Sequence, residues 1–208
     1  MDQPLLPWGT PDAERADRAE RADAVRNRRH LLKVARDMLA EHGADRLTMD
    51  GLAERAGLGK GTVFRRFGTR AGIFHALLDE EERAFQEQVL SGPPPLGPGA
   101  PPLDRLIAYG GARASFMVSN HEIARAALDS NQPRPAGRQT PISQVHIRML
   151  LGQMDLGPAD LDLLAVQLTA ALDGPLLLYL SGSDLAGPDV AERIARSWED
   201  LIRRVCRL

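Results

Sequence analysis

The stretch GLGKGTVFRRFGTR, residues 57–70, decides how the chain is read. Gly57, Gly59 and Gly61 bracket Lys60 ahead of Thr62, in the manner of a loop that cradles a phosphate. Phe64 and Phe67 then enclose Arg65 and Arg66, as in a helix with one apolar side and one side that meets an anion. The nucleotide reading fails on spacing. A Walker loop needs glycine six residues before its lysine and Ser or Thr directly after it. Those places hold Glu54 and Gly61, and helical periodicity stands where a strand should precede the loop. A dinucleotide fingerprint fails too, because the glycines are spaced GxGxG with no strand before them.

A helix-turn-helix fits instead. The spacing predicts a short helix from Met49 to Ala56, a turn centred on Gly57, and a second short helix from Lys60 to Phe67 that is free to enter a major groove. On that second helix Val63 and Phe67 lie four apart and face the core. Lys60, Gly61, Thr62, Phe64 and Arg65 are left toward the other side. Gly61 acts through absence, since no side chain holds the helix off the DNA.

Upstream, Leu31, Ala35 and Leu39 recur at helical spacing with Val34 and Met38 beside them, and Gly43 supplies the left-handed end after His42. Downstream, Thr69 caps a fourth helix carrying Ile73, Leu77, Leu78 and Phe85. Residues 1–22 form an extension, either frayed or an arm with its own task, because no apolar stripe starts before Val25. Between residues 26 and 70 eleven basic residues face five acids, so that segment is +6 in a chain whose formal net charge is −2. Such asymmetry is expected when one module meets a polyanion.

The rest of the 208 residues is consistent with a folded helical protein. Hydrophobic residues make up 43% and charged residues 26%, too apolar for general disorder. Pro/Gly-rich stretches at 91–102 and 131–141 divide the chain into helical blocks, and nowhere does a strand-like alternation appear, so the fold class expected is all-α. A single cysteine, Cys206, argues against a disulfide framework. With no basic leader before an apolar run and no segment of bilayer length, the expected location is the cytoplasm, without a membrane partner. The five histidines show no ligand spacing and no nucleophile elbow stands out, so no metal, cofactor or catalytic residue is expected.

Residues 29–78 resemble the DNA-binding domain of the TetR (tetracycline-repressor) family of bacterial regulators. The resemblance rests on the apolar first helix closing in Gly43, on TMDGLAERAGL, and on GKGTVFRRFGTRAGIF. It implies a DNA-reading domain at 23–70 and a helical ligand-binding and dimerisation domain at 71–208. It also implies a homodimer on a palindromic double-stranded operator, with repression relieved by a small molecule. Where the family carries a serine cap this chain has Gly59, where it carries a tyrosine this chain has Phe64, and its lysine is Arg70. Arg70, with Thr48, is expected to hold backbone phosphates, while Lys60 and Thr62 reach base edges or the nearest phosphate.

Further on, two stripes share one helix, Leu103, Leu106, Ile107, Gly110, Ala114 and Met117 against Tyr109, Arg113, Phe116 and Asn120. With His146 and Met149 of a later helix, the second stripe is expected to line a pocket for a largely hydrophobic effector. The last two helices are expected to pair between subunits, one for its nearly all-round apolar surface and the other for the stripe Val190, Ile194, Trp198, Leu201 and Val205. A different class remains open: a helical ligand-binding or interaction protein whose N-terminal module has lost useful DNA affinity.

Overall fold

The computed structural model describes residues 11–128, 142–180 and 189–206, and every regular element among them is helical. In chain order these are α1 (Pro11–His42), a 3-10 turn (Ala44–Arg46), α2 (Met49–Arg55), α3 (Lys60–Phe67), α4 (Arg70–Ser91), α5 (Pro102–Ser119), α6 (His121–Leu128), α7 (Ile142–Leu151), α8 (Leu161–Leu180) and α9 (Val190–Val205). The chain forms two compact units, dividing between Leu77 and Leu78. The stretch at 131–141 and the capping residue Thr10 lie outside the described residues. No helix among the described residues is long and apolar enough to cross a membrane.

α1 starts much earlier than its apolar stripe. Pro11, whose fixed φ suits a first helical position, opens it. Its polar half carries ion pairs Asp17–Arg21 and Asp23–Arg26 at four- and three-residue spacing. The expected extension is therefore continuous with the first core helix. From Leu31 onward Leu31, Leu32, Val34, Ala35 and Met38 are buried, and with Leu47, Leu52, Val63, Ile73 and Phe74 they make the first unit's core.

The second unit is built on α5. Its core joins Phe85 and Val89 of α4, Leu106 and Tyr109 of α5, Ile147, Leu150 and Leu151 of α7, Ala165, Leu168 and Leu172 of α8, and Trp198 and Ile202 of α9. Trp198 lies against bare backbone: a Cβ on Gly110 would stand 2.0 Å from the indole Nε1. That nitrogen donates to the Leu106 carbonyl at 2.9 Å. The apolar stripe of α9, expected to seek a second subunit, is thus taken up largely by α5 of its own chain. The reason is local, since only a glycine at position 110 lets a tryptophan come so close. α8 differs. Its Ala165, Leu168 and Leu172 face inward, while Leu163 and Val166 remain 53% and 45% exposed.

Gly110→Ala is expected to displace the indole and destabilise the protein by about 1–3 kcal/mol. Gly111→Ala is the matched control, because its Cβ would meet only Ala195 at 3.7 Å. Thermal unfolding of both variants should show a lowered midpoint for the first alone; equal midpoints would mean that α9 does not dock through Trp198.

Candidate nucleic-acid interface

The turn between α2 and α3 follows from Gly57. Its φ of +65° is a left-handed conformation that a side chain would strain. Two hydrogen bonds complete the helix end, Gly57 N–H to the Glu54 carbonyl at 3.1 Å and Leu58 N–H to that of Ala53 at 3.0 Å. Gly59 in extended backbone then opens α3 without a side-chain cap. At the other end of α2, the Thr48 hydroxyl accepts the Gly51 N–H at 3.0 Å. Two contacts seat the pair on α1. His30 Nε2 lies 3.1 Å from the Ala56 carbonyl, and Arg55 donates from Nη1 to Glu41 Oε2 at 2.6 Å. That guanidinium holds the Glu41 carboxyl below its ordinary range.

Val63 is the fully buried residue of α3, and it sets the helix's rotation. Lys60, Gly61, Phe64 and Arg65 are exposed, Phe64 at 49%, and Thr62 is half-buried. A Cβ added at Gly61 would meet nothing within 4 Å, so the backbone there is open to close approach. Lys60 Nζ sits 2.8 Å from Asp50 Oδ2, with both side chains well exposed. An exposed pair of this kind contributes at most about 1 kcal/mol and yields readily to another anion. Arg66 turns aside and donates from Nη2 to the Ala24 carbonyl of α1 at 2.9 Å.

Arg70 and Thr48, expected to hold phosphates, each have work inside the domain. Arg70 donates from Nε to the Leu47 carbonyl at 2.8 Å and from Nη2 to that of Ala44 at 2.6 Å, with its guanidinium 4.9 Å from the centre of the Phe74 ring. It closes the 3-10 turn ahead of Thr48, which caps α2. Two of its five N–H groups are engaged this way. Both residues position the helix-turn-helix before they touch any ligand.

In the second unit a groove of about 190 Å³ lies between α4, α5 and α7. Of the six pocket residues expected, Tyr109, His146 and Met149 line it. Arg113 and Phe116 instead form a stack beside it: Arg113 donates to Glu82 Oε2 at 2.7 Å and its guanidinium lies 5.1 Å from the Phe116 ring centre. Asn120 donates to the Phe116 carbonyl at 2.9 Å, at the end of α5. Missed by the sequence were Glu82, Phe85, Gln86, Val89 and Leu90 of α4, with Ile142 of α7; Val145 of α7 also lines the groove. The polar end is the Tyr109 hydroxyl, donating to Ser143 Oγ at 2.7 Å, and the His146 ring, 4.8 Å from that of Tyr109. Burial, with Arg105 nearby, pushes the His146 pKa down to about 4, and its Nε2 is buried without a hydrogen-bond partner among the described residues.

Residues 31–77 match the family described as bacterial regulatory proteins, tetR family. The "DNA-binding transcriptional repressor TetR" of Mycobacteroides abscessus is 37% identical over 59 residues, 28% of this chain and 31% of that relative. The "HTH-type transcriptional repressor AcnR" of Corynebacterium efficiens is 35% identical over 65 residues, 31% of this chain and 35% of that relative. The chain therefore spans about a third of the length of these curated relatives. Among solved structures, a TetR/AcrR-family transcriptional regulator from Thermobifida fusca superposes with a TM-score of 0.58 at 19% identity, covering 87% of this chain and 98% of that one. PfmR, a TetR-family regulator from Thermus thermophilus, gives 0.54 at 22%, covering 84% and 97%. At these identities the structures establish the fold.

His146 generates a pH prediction. Its folded pKa of about 4 lies below the ordinary 6.5, so the unfolded chain binds a proton that the folded one refuses. Its contribution to stability is therefore full above pH 6.5 and is lost as pH falls toward 4, by at most about 3 kcal/mol. Denaturant titrations at pH 7 and pH 4.5 should show His146→Leu losing less stability between the two than the natural chain does. Parallel losses would mean that the imidazole stays solvated.

Proposed function

We propose, from the match of residues 31–77 to the tetR family of bacterial regulatory proteins, that this chain is a homodimeric repressor released from a palindromic operator by a small, mainly apolar molecule. The observation that carries the DNA part is the free face of α3. Gly61 is bare, Phe64 and Arg65 are exposed, and Lys60 is held only by a weak surface pair, all fixed in rotation by the buried Val63. A recognition helix needs such a face, with a close backbone approach and cations at its start. Residues 23–70 are the reading domain, followed by the ligand and dimer domain at 71–208. Thr48 and Arg70 support the reader from behind, and phosphate contact falls to Arg65 and to the N–H groups that Arg70 has left.

Dimerisation uses α8, whose exposed Leu163, Val166 and Ala170 recur at three- and four-residue spacing on a helix already packed on its opposite side. The groove supports a neutral effector. Glu82 is paired with Arg113 and His146 is uncharged at neutral pH, so no unbalanced charge awaits a partner there. Its apolar walls favour a hydrocarbon body, and the Tyr109–Ser143 end favours a single polar group.

Operator fragments selected from the source genome, titrated beside random duplex, test the reading. Lys60→Ala should weaken operator binding by about 1–3 kcal/mol more than random binding, since Lys60 sits where α3 reaches base edges. Gly61→Leu should abolish operator binding without lowering the unfolding midpoint, because a Cβ at this position meets nothing within 4 Å. Unchanged affinity in both variants would remove α3 as the reader.

A further inference from the structure

Before Leu31 no described side chain of α1 is buried, so nearly two thirds of this 32-residue helix adds no buried side chain to the core. What its sequence does is sort charge by face. At 100° per residue, Arg15, Arg18, Arg26, Arg29 and Lys33 fall within one narrow stripe, interrupted only by Ala22. All five cations are exposed. Arg15, Arg18 and Arg29 have no acidic partner among the described residues, and Arg26 and Lys33 are bridged only to exposed Asp23 and Asp37. The acids Glu20 and Asp23 lie on another face, where they line a cleft with Thr62, Arg65 and Arg66 of α3. α1 is tied to α3 at Ala24 by the Arg66 hydrogen bond. From there it continues N-terminally for thirteen residues to Pro11, about 20 Å at 1.5 Å per residue.

We propose that this stripe is a second, sequence-independent DNA surface, which binds phosphates of the duplex flanking the half-site that α3 reads. The proposal rests on the operator-binding reading above. The stripe lies on the face of α1 opposite the cleft shared with α3, so the phosphates assigned to it are not those of the groove that α3 enters. Beyond the Ala24 tie the helix itself reaches about six base pairs at 3.4 Å each, and its outermost stripe cation, Arg15, about four. Four of its five cations are arginine, whose fork suits phosphate oxygens. The only large apolar side chain along this face between Arg15 and Lys33 is Val25 at its edge, exposed and alone, too little to insert into a bilayer. Tethering to a module already on the operator makes the flank the duplex at highest local concentration.

The test titrates the full-length protein with the shortest selected operator duplex and with the same duplex lengthened by six arbitrary base pairs at each end, over a salt series. The natural chain should bind the longer duplex more tightly and with a steeper salt dependence. Arg15→Gln with Arg18→Gln should remove that gain and flatten the slope by about 0.9 for each phosphate that is no longer neutralised. Arg21→Gln with Arg28→Gln removes the same charge from other faces and should keep the gain. Ala22→Arg, which fills the gap in the stripe, should increase it, and circular dichroism should show the helix intact in each variant. A length-independent affinity, equal losses in the two double variants, or tighter binding to an RNA duplex than to the flanking DNA would overturn the proposal. Failure of the natural chain to bind the short operator at all would instead overturn the repressor reading.

Discussion

Eight residues are too few for a helix to persist in water by its own hydrogen bonds, so α3 exists as a helix because the rest of its domain holds it. Val63, with no exposed surface, is the contact through which it is held. Once that side chain is buried, the helical repeat leaves one orientation for everything else. Gly61 and Arg65 must face out, and Arg66 must swing toward α1, where it finds the Ala24 carbonyl. The Gly57 turn sets the angle at which α3 leaves α2, and Arg70 ties down the segment that delivers α2. The chemistry of the reading face is therefore a consequence of apolar burial on the opposite side.

Much of this was legible in the sequence because it is local grammar. Thr48 and Thr69 cap the helices they precede, each accepting the N–H three residues on. Gly57 ends α2 in the left-handed region, and the four-residue interval between Val63 and Phe67 names the inward face of α3. What was not legible depends on partners distant in the chain. An arginine opening a helix looks the same whether its fork meets a phosphate or the carbonyls of Ala44 and Leu47; only the tertiary position of those carbonyls decides. The stripe on α9 announces that it needs a partner without saying whose, and the answer lies in one glycine of α5. Pocket membership failed for the same reason. Arg113 and Asn120 carry polar groups at suitable spacing, yet Arg113 pairs with Glu82 and Asn120 bonds the Phe116 carbonyl, while the groove residues of α4 follow the same helical spacing as its core face and cannot be told from it.

The two units use charge in different ways. The first leaves cations exposed with weak or no partners, so that an incoming polyanion displaces little. In the second, Glu82 and Arg113 neutralise each other beside a groove whose histidine is uncharged, so selectivity there must come from shape and one polar end. On the proposed reading, a polyanion reader and a neutral sensor share one chain without competing for the same ligands.

In the proposed bound state the Gly61 face of α3 lies against base edges. Disulfide trapping tests it most directly: Gly61→Cys, placed in a Cys206→Ser background, is mixed with operator duplexes carrying a thiol tether on one major-groove base at a time. Arg83→Cys, exposed on α4, serves as the control. Efficient cross-linking of position 61 to one or two adjacent base positions in each half-site is expected, and none from position 83. Retained operator binding with no cross-link from position 61 at any base would contradict it.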